Sequence, residues 1–484
     1  MLRHLIEKEC KAVLLSPKFA LTFAACSVLI LLAVGIGARE YHAFAAQQDA
    51  ARELLAEELR EKTGWAGLST RIFREPEVMQ IFATGVHNDV GRLAAVSSRA
   101  EARLQQSIYS DDNVLALFRQ LDLTFIVQVV LSLFAILFTF DAVNGERELG
   151  TLKLIFSNAV PRAHFVVAKL VGTWLALAVP LLLPALLGCL AIVLLRIPLT
   201  GDDWAKLGLF ALASALYLTF FIALGVGISA LTRRSATSFL VSLVTWVVLV
   251  LVVPRAALLA AVEIVPVASS AEIESRKSGA ESRAWADFRR DLERRWDARN
   301  AAMAGLSDKE REAYEDDRLW QWLEEDDASR TAVEREIAEA ADRVNEEHRQ
   351  RRIEQQRVAF GLSRLSPASA YQLVVMSLAG TGVDLKTRYE EAARRYQAAF
   401  KAFADKHGSQ HMIIGRRHGG GGGTFFGDDA NQPLDLTEMP RFQIPRAPLA
   451  AVLVGVPLDL GLLGLETLLL VAVGFVGFLR YDLR

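Results

Sequence analysis

The stretch LTFIVQVVLSLFAILFTF, from Leu123 to Phe140, holds 18 consecutive residues without a charge. A run of about 20 apolar residues crosses the ~30 Å hydrocarbon core of a bilayer, whereas helices buried in soluble proteins are usually shorter and keep a polar stripe. Five more windows of this kind lie outward from it: Phe19 to Ala38, Leu170 to Leu195, Leu207 to Leu231, Ala236 to Pro254 and Leu460 to Leu479. The sequence therefore predicts six transmembrane helices and excludes a soluble globular enzyme.

The charge balance and the cysteines exclude two further classes. The formal net charge is -2, and no block of Lys and Arg is interleaved with aromatic residues, so a nucleic-acid partner is not expected. Cys10, Cys26 and Cys189 lie just before or inside the predicted spans. No disulfide framework or paired-cysteine metal site is therefore expected outside the membrane.

Basic residues near the spans predict the orientation of the chain, because short cytoplasmic loops are enriched in Lys and Arg. The loops that fall on the richer side contain Arg3, Lys8, Lys11, Lys18, Arg147, Lys153, Arg162, Lys169, Arg233, Arg234, Arg480 and Arg484. We therefore expect a multi-pass protein of the bacterial cytoplasmic (inner) membrane with both termini in the cytoplasm. An alternative is that the first window is a signal peptide cleaved near Ala43-Phe44-Ala45.

These patterns predict an all-α membrane protein in which six transmembrane helices carry two extracytoplasmic helical segments. The predicted parts are the arm and first span (1–38), the first outside segment (39–122), spans two to five (123–254) with a cytoplasmic coupling element (144–162), a large outside helical domain (255–448) with a glycine-rich linker (419–423), and the last span with its tail (449–484).

The sequence of the large outside segment has the pattern of charged amphipathic helices. Trp285, Phe288, Leu292 and Trp296 recur at spacings of three and four, which places them on one helix face. Ser307 to Glu310 has capping-box spacing and predicts the start of a second long helix. Further helices are predicted from Ser366-Pro367 to Gly380 and along Tyr389, Tyr396, Phe400 and Phe403. The first outside segment is expected to open with a helix from Ala43 to Lys62.

Motifs for catalysis are missing from the sequence. No G-x-x-x-x-G-K-[ST], G-x-G-x-x-G before a helix, H-E-x-x-H, G-x-S-x-G or C-x-x-C occurs, so the chain is not expected to hydrolyse ATP itself. His407, His411 and His418 form the only histidine cluster. Either they are solvated loop residues or the i, i+4 pair binds a metal, and the interruption at Gly408 favours the first interpretation.

Glu466 is the only charged residue within the six apolar windows. Charge inside a span is costly, which makes Glu466 a candidate for a substrate or proton contact. Its position, 13 residues or about 20 Å from Leu479, also allows an interfacial carboxylate that reaches the outer surface or pairs with a neighbouring helix. Asp459 lies at the predicted outer boundary and is expected to be hydrated.

The segment after the second span, NGERELGTLKL from Asn144 to Leu154, reads as a short amphipathic cytoplasmic element. The charges are expected to face the cytosol, where substitutions should unfold the protein little. The apolar residues expected on an interfacial side are Leu149, Leu152, Leu154, Ile155 and Phe156. Gly150 could turn the chain with a positive φ.

This segment resembles the permeases of type-2 ABC exporters, whose corresponding loop carries E-[KR]-E-x-G-T-L, a Pro-Arg pair and a Lys entering the next span. The matching residues are Glu146, Arg147, Glu148, Gly150, Thr151, Leu152, Pro161, Arg162 and Lys169. The chain looks most like a subgroup with two long outside segments, an S-P-A stretch at Ser366 followed by Gly380-Thr381, and a terminal F-x-R-Y-D-x-R from Phe478 to Arg484.

The resemblance implies that the nine residues form the contact with a separate ABC ATPase, present in two copies. It also implies a second permease, identical or related, and no cofactor in this chain, since ATP and Mg²⁺ would bind to the ATPase. The outside helices would receive cargo or bind an envelope partner, and the transported substrate is not assigned. The competing hypothesis is a receptor or scaffold that senses with its outside domain and transports nothing.

Overall fold

The computed structural model describes residues 1–60, 69–87, 90, 93–97, 103–105, 122–157, 160–382, 384–408, 438–444 and 448–479. Within them six helices are long and apolar enough to cross a membrane, namely Pro17–Arg60, Leu123–Glu148, Arg162–Leu194, Gly201–Leu231, Ser235–Ile264 and Val456–Phe478. The predicted all-α membrane fold is confirmed, because each apolar window falls almost entirely within one of these helices.

The helices are numbered here in chain order. They are α1 (Leu2–Leu14), α2 (Pro17–Arg60), α3 (Leu123–Phe125), α4 (Ser132–Thr139), α5 (Asn144–Glu148), α6 (Thr151–Ser157), α7 (Arg162–Leu194), α8 (Gly201–Leu231), α9 (Ser235–Val247), α10 (Val253–Ile264), α11 (Ser270–Met303), α12 (Asp308–Ser363), α13 (Pro367–Ala379), α14 (Asp384–Gly408), α15 (Leu449–Val452) and α16 (Val456–Leu479). Two π-helical turns, Ile126–Leu131 and Val248–Val252, continue the second and fifth spans.

The fourth span, α8, lies at the centre of the membrane helices and has the largest buried fraction of the six. The last span packs directly on it, because neither helix has a side chain where they cross: a Cβ at Gly474 would lie 3.3 Å from the Gly227 Cα. Buried polar groups also join the spans. The Tyr217 hydroxyl donates to the Gln128 carbonyl at 2.9 Å, and the Trp246 indole donates to the Ser132 hydroxyl at 2.8 Å.

The first outside segment is not entirely helical, contrary to the prediction for residues 39–122. Its helix continues the first span to Arg60 as expected, but β1 (Ser69–Phe73), β2 (Leu93–Ser97) and β3 (Arg103–Gln105) form an antiparallel sheet in the order β1-β2-β3. Burial alternates along β1 and from Ala94 to Val96 in β2, as it does in a half-buried strand. The strands cover α14, where the Tyr389 hydroxyl donates to the Ile72 carbonyl at 3.3 Å.

The chain divides into two compact units. The first contains Met1–Val252 and Arg364–Arg484, and the second contains Val253–Ser363. The residues predicted as one outside domain, 255–448, therefore contribute to both units. The boundary falls within the fifth candidate span, Ser235–Ile264.

The second unit is built from α10, α11 and α12, with α11 and α12 forming a helical hairpin. The predicted face of α11 is largely confirmed: Trp285, Phe288 and Leu292 are half-buried, and Trp296 is half-exposed. Both the N–H and the hydroxyl of Ser307 donate to the Glu310 carboxylate at the start of α12, which lowers the pKa of Glu310.

In the first unit α13 begins and ends where the sequence predicts. The Ser366 hydroxyl accepts hydrogen bonds from the Ala368 and Ser369 N–H groups, and the helix ends at Gly380 with φ +68°. The prediction that Asp459 is hydrated was wrong. Asp459 is only 5% exposed, and Arg364 offsets the cost of burying its charge by donating to both carboxylate oxygens.

Candidate coupling site

The coupling element consists of two short helices joined at a glycine. α5 ends at Glu148, α6 begins at Thr151, and between them Gly150 adopts φ +73°. The positive φ expected from the sequence is therefore present. A Cβ at Gly150 would have no atom within 4 Å, so the backbone conformation, and not packing, requires glycine here.

Glu146 and Lys169 belong to a network of four charged side chains. The Lys169 Nζ lies 2.8 Å from Glu9 Oε2 and 3.3 Å from Glu146 Oε1, and the Lys8 Nζ lies 3.2 Å from the same Glu146 oxygen. Lys169 is only 5% exposed. A buried ammonium needs anionic partners to offset the loss of hydration. The network therefore ties the N-terminal helix and the coupling element to the third span.

Thr151 completes this arrangement from the second helix of the element. Its hydroxyl bonds to the Glu146 carboxylate and lies 3.1 Å from the Glu146 carbonyl oxygen. The hydroxyl thereby closes the turn at Gly150 and orients Glu146 toward Lys169. This contact gives a physical reason for a Thr directly after the glycine.

Glu148 anchors the element on its other side. Its carboxylate accepts hydrogen bonds from the N–H and the hydroxyl of Ser235, each at 2.8 Å, at the start of the fifth span. Two bonds to the C-terminal end of the fourth span add to this. The Val143 N–H donates to the Ser229 hydroxyl at 3.0 Å, and the Asn144 amide donates at 3.1 Å to the hydroxyl of Thr232, directly after the helix. The element is therefore held between span three and the turn joining spans four and five.

The N-terminal helix lies tightly against the third span. A Cβ at Gly172 would lie 2.6 Å from the Glu9 Cβ and 3.1 Å from the Ile6 carbonyl oxygen, closer than two such atoms approach. The residues of this helix that are buried are Glu9 and Val13, each 9% exposed. Close packing and the ion network thus act at the same place.

The outward face of the element is different from the predicted one. Leu149 and Leu154 are 80% and 67% exposed, Lys153 is exposed, and Leu152 is buried. The leucines do not share one interfacial side, and the two carboxylates bond within the protein. Reversing the charges of Glu146 and Glu148 is therefore not the harmless surface change expected from the sequence.

The other predicted residues lie around this core. Arg147 is partly exposed in α5, Pro161 directly precedes α7, and Arg162 is its first residue. Sequence reasoning missed Lys8 and Glu9 as members of the site. The available signal was Glu9 itself, a charge at the helical spacing of Leu2, Leu5, Ile6 and Val13.

Glu466 is separate from the coupling site. It lies in the last span, half-buried, and its Oε2 is buried without a hydrogen-bond partner among the described residues. Both interpretations offered from the sequence stay predictions.

Most of the histidine cluster lies outside the described residues, namely His411, His418 and the side chain of His407. Among the described ranges, no group of three or more His, Cys, Asp or Glu residues could hold a metal ion. The three cysteines are not joined in disulfides.

Comparison with known proteins gives one result that spans the chain. The family described as "ABC-2 family transporter protein" matches residues 4–483. No curated protein gives a significant match.

Proposed function

The chain belongs to the ABC-2 family of transporter proteins and is thus a membrane transport component, and we propose that it is the permease subunit of an exporter powered by a separate ATPase. Two ATPase copies would bind ATP and Mg²⁺, and a second permease, identical or related, would complete the path across the bacterial inner membrane. Both termini would lie in the cytoplasm.

The observation that carries this proposal is the construction of the coupling element. Leu149, Lys153 and Leu154 project outward, while Glu146 and Glu148 hold the element against the third and fifth spans. Two exposed leucines beside a lysine are suited to bind in a cleft of another protein. The hydrogen bonds of Glu146 and Glu148 fix the element to the spans, as is needed if a displacement of the element is to move the transmembrane helices. We therefore assign docking to the leucines and positioning to Glu146, Glu148, Thr151 and Lys169.

Purification of the chain in mild detergent, with identification of the co-eluting subunits, tests the proposal. We expect an ATPase subunit to co-elute, and Leu149→Ser with Leu154→Ser to reduce its recovery at least tenfold. Leu365→Ser is the matched control, because Leu365 is 72% exposed but lies outside the coupling element. Absence of an ATPase, or equal recovery with the double variant, would contradict the proposal and favour the receptor or scaffold hypothesis.

A further inference from the structure

The hairpin of the second unit has an exposed apolar face on α12. Leu319, Trp320 and Leu323 are 45%, 64% and 52% exposed. Leu323 lies four residues after Leu319 and three after Trp320, so it is a neighbour of both on the helix surface. Large apolar side chains grouped on a surface indicate a site of interaction more often than isolated ones do.

Carboxylates border this apolar face. Asp317 and Glu324 lie three residues before and four residues after Trp320, and thus on its side of the helix. Residues 308–327 contain ten acidic and three basic residues. Within the described part of the chain, Trp320, Asp317 and Glu324 have no hydrogen bond, ion pair or ring contact.

The opposite side of α12 shows what the same combination of groups binds. There, the Arg299 guanidinium from α11 lies 5.1 Å from the Trp322 ring centre and donates to Asp326 at 2.8 and 3.1 Å. Trp322 and Asp326 are four residues apart, as are Trp320 and Glu324. The face of Trp320 therefore repeats an arginine-binding pattern that none of the described residues of this chain fills.

We propose that the surface formed by Asp317, Leu319, Trp320, Leu323 and Glu324 binds a cationic amphipathic helix of another polypeptide. Its apolar side would cover the two leucines, and an Arg or Lys would lie over Trp320 between the carboxylates. Charge complementarity favours this occupant. A second copy meeting the surface through a twofold axis would place acidic faces together, and an anionic bilayer would be repelled. The proposal goes beyond transport and does not depend on it.

Titration of the full-length chain in nanodiscs with a synthetic 18-residue Leu/Arg amphipathic helix tests this inference. We expect saturable binding that is weakened at least tenfold by Trp320→Ala and by Glu324→Gln. Glu324→Gln keeps the size of an exposed side chain, so its effect does not arise from unfolding. The controls are Trp204→Ala, an exposed tryptophan of the first unit, and Asp308→Asn, both expected to bind as the wild type does.

The same titration with a peptide of identical composition but scrambled order separates a built surface from general attraction between opposite charges. We expect the scrambled peptide to bind at least tenfold more weakly. Equal binding of the two peptides, equal binding by the Trp320 and Glu324 variants, or no binding to the wild type would each overturn the proposal.

Discussion

At the scale of single residues, Lys169 is the side chain on which the coupling site most depends. Lys169→Met would leave the Glu9 and Glu146 carboxylates facing a buried apolar group, and breaking a buried pair in this way typically costs about 3 to 5 kcal/mol. We expect a lower unfolding temperature and faster amide hydrogen exchange in both α1 and residues 144–157. Glu7→Gln is the control, because its pair with Lys11 is exposed and should change stability by less than about 1 kcal/mol. Unchanged exchange in α1 would show that the network does not hold this helix.

Gly150 gives a second prediction at this scale. Alanine disfavours a positive φ by about 1 to 2 kcal/mol, so Gly150→Ala should destabilise the protein although space for a Cβ exists. Gly279→Ala should have the opposite sign, because Gly279 lies inside α11 with no atom near its added Cβ, and glycine costs about 1 kcal/mol in a helix interior. Chemical denaturation measures the change in the free energy of unfolding for each variant. Equal shifts would contradict the conformational argument.

The sequence reveals the residues of the site better than their roles. Gly150 is predictable because a local turn depends on neighbouring residues alone. The contact between Glu9 and Lys169 is not, since 160 positions separate them and only the packing of α1 on the third span brings them together. For the same reason Glu146 and Glu148 read as surface charges, although both bond within the protein.

At the scale of elements, the hairpin of the second unit should fold from its own contacts. A fragment from Val265 to Ser363 contains no cysteine, so we expect a helix-dominated circular dichroism spectrum that reductant does not change. Within it, Arg299→Met should destabilise by about 1.5 kcal/mol, because Arg299 is buried beside Trp322 and donates two hydrogen bonds to the Asp326 carboxylate. The loss should be smaller than for a fully buried pair, since Asp326 is 24% exposed and keeps its ion pair with Arg295. Arg290→Met, which alters an exposed pair with Asp287, should have little effect. A strand-dominated spectrum would contradict the fold.

Helices and strands of this chain differ in how readily they can be predicted. The spans follow from composition over about 20 residues, and α11 and α12 follow from spacing sustained over many turns. The sheet escaped prediction because β1 and β2 have five residues each, and their alternation has meaning only once they pair. The sequence signal for β1 was the alternation of the β-branched residues Thr70 and Ile72 with the charged Arg71.

For the whole molecule, the orientation in the membrane is the prediction with the widest consequences. In a background without native cysteines, Ser275→Cys should react with a membrane-impermeant thiol reagent in intact cells, and Ala236→Cys should react only after permeabilisation. Ala236 is chosen because it is exposed, whereas the neighbouring Ser235 bonds to Glu148. Reaction of Ala236→Cys alone in intact cells would invert the predicted topology.

The length of α12 sets the distance that the second unit can span. At about 1.5 Å per residue, its 56 residues measure about 84 Å, nearly three times the thickness of a bilayer core. Removing seven residues from each arm of the hairpin would shorten it by about 10 Å while keeping its faces nearly in phase. If the function of the second unit requires the full length of the hairpin, the shortened protein should lose that function while it still binds the peptide. If the function requires only the binding surface on α12, the shortened protein should keep it.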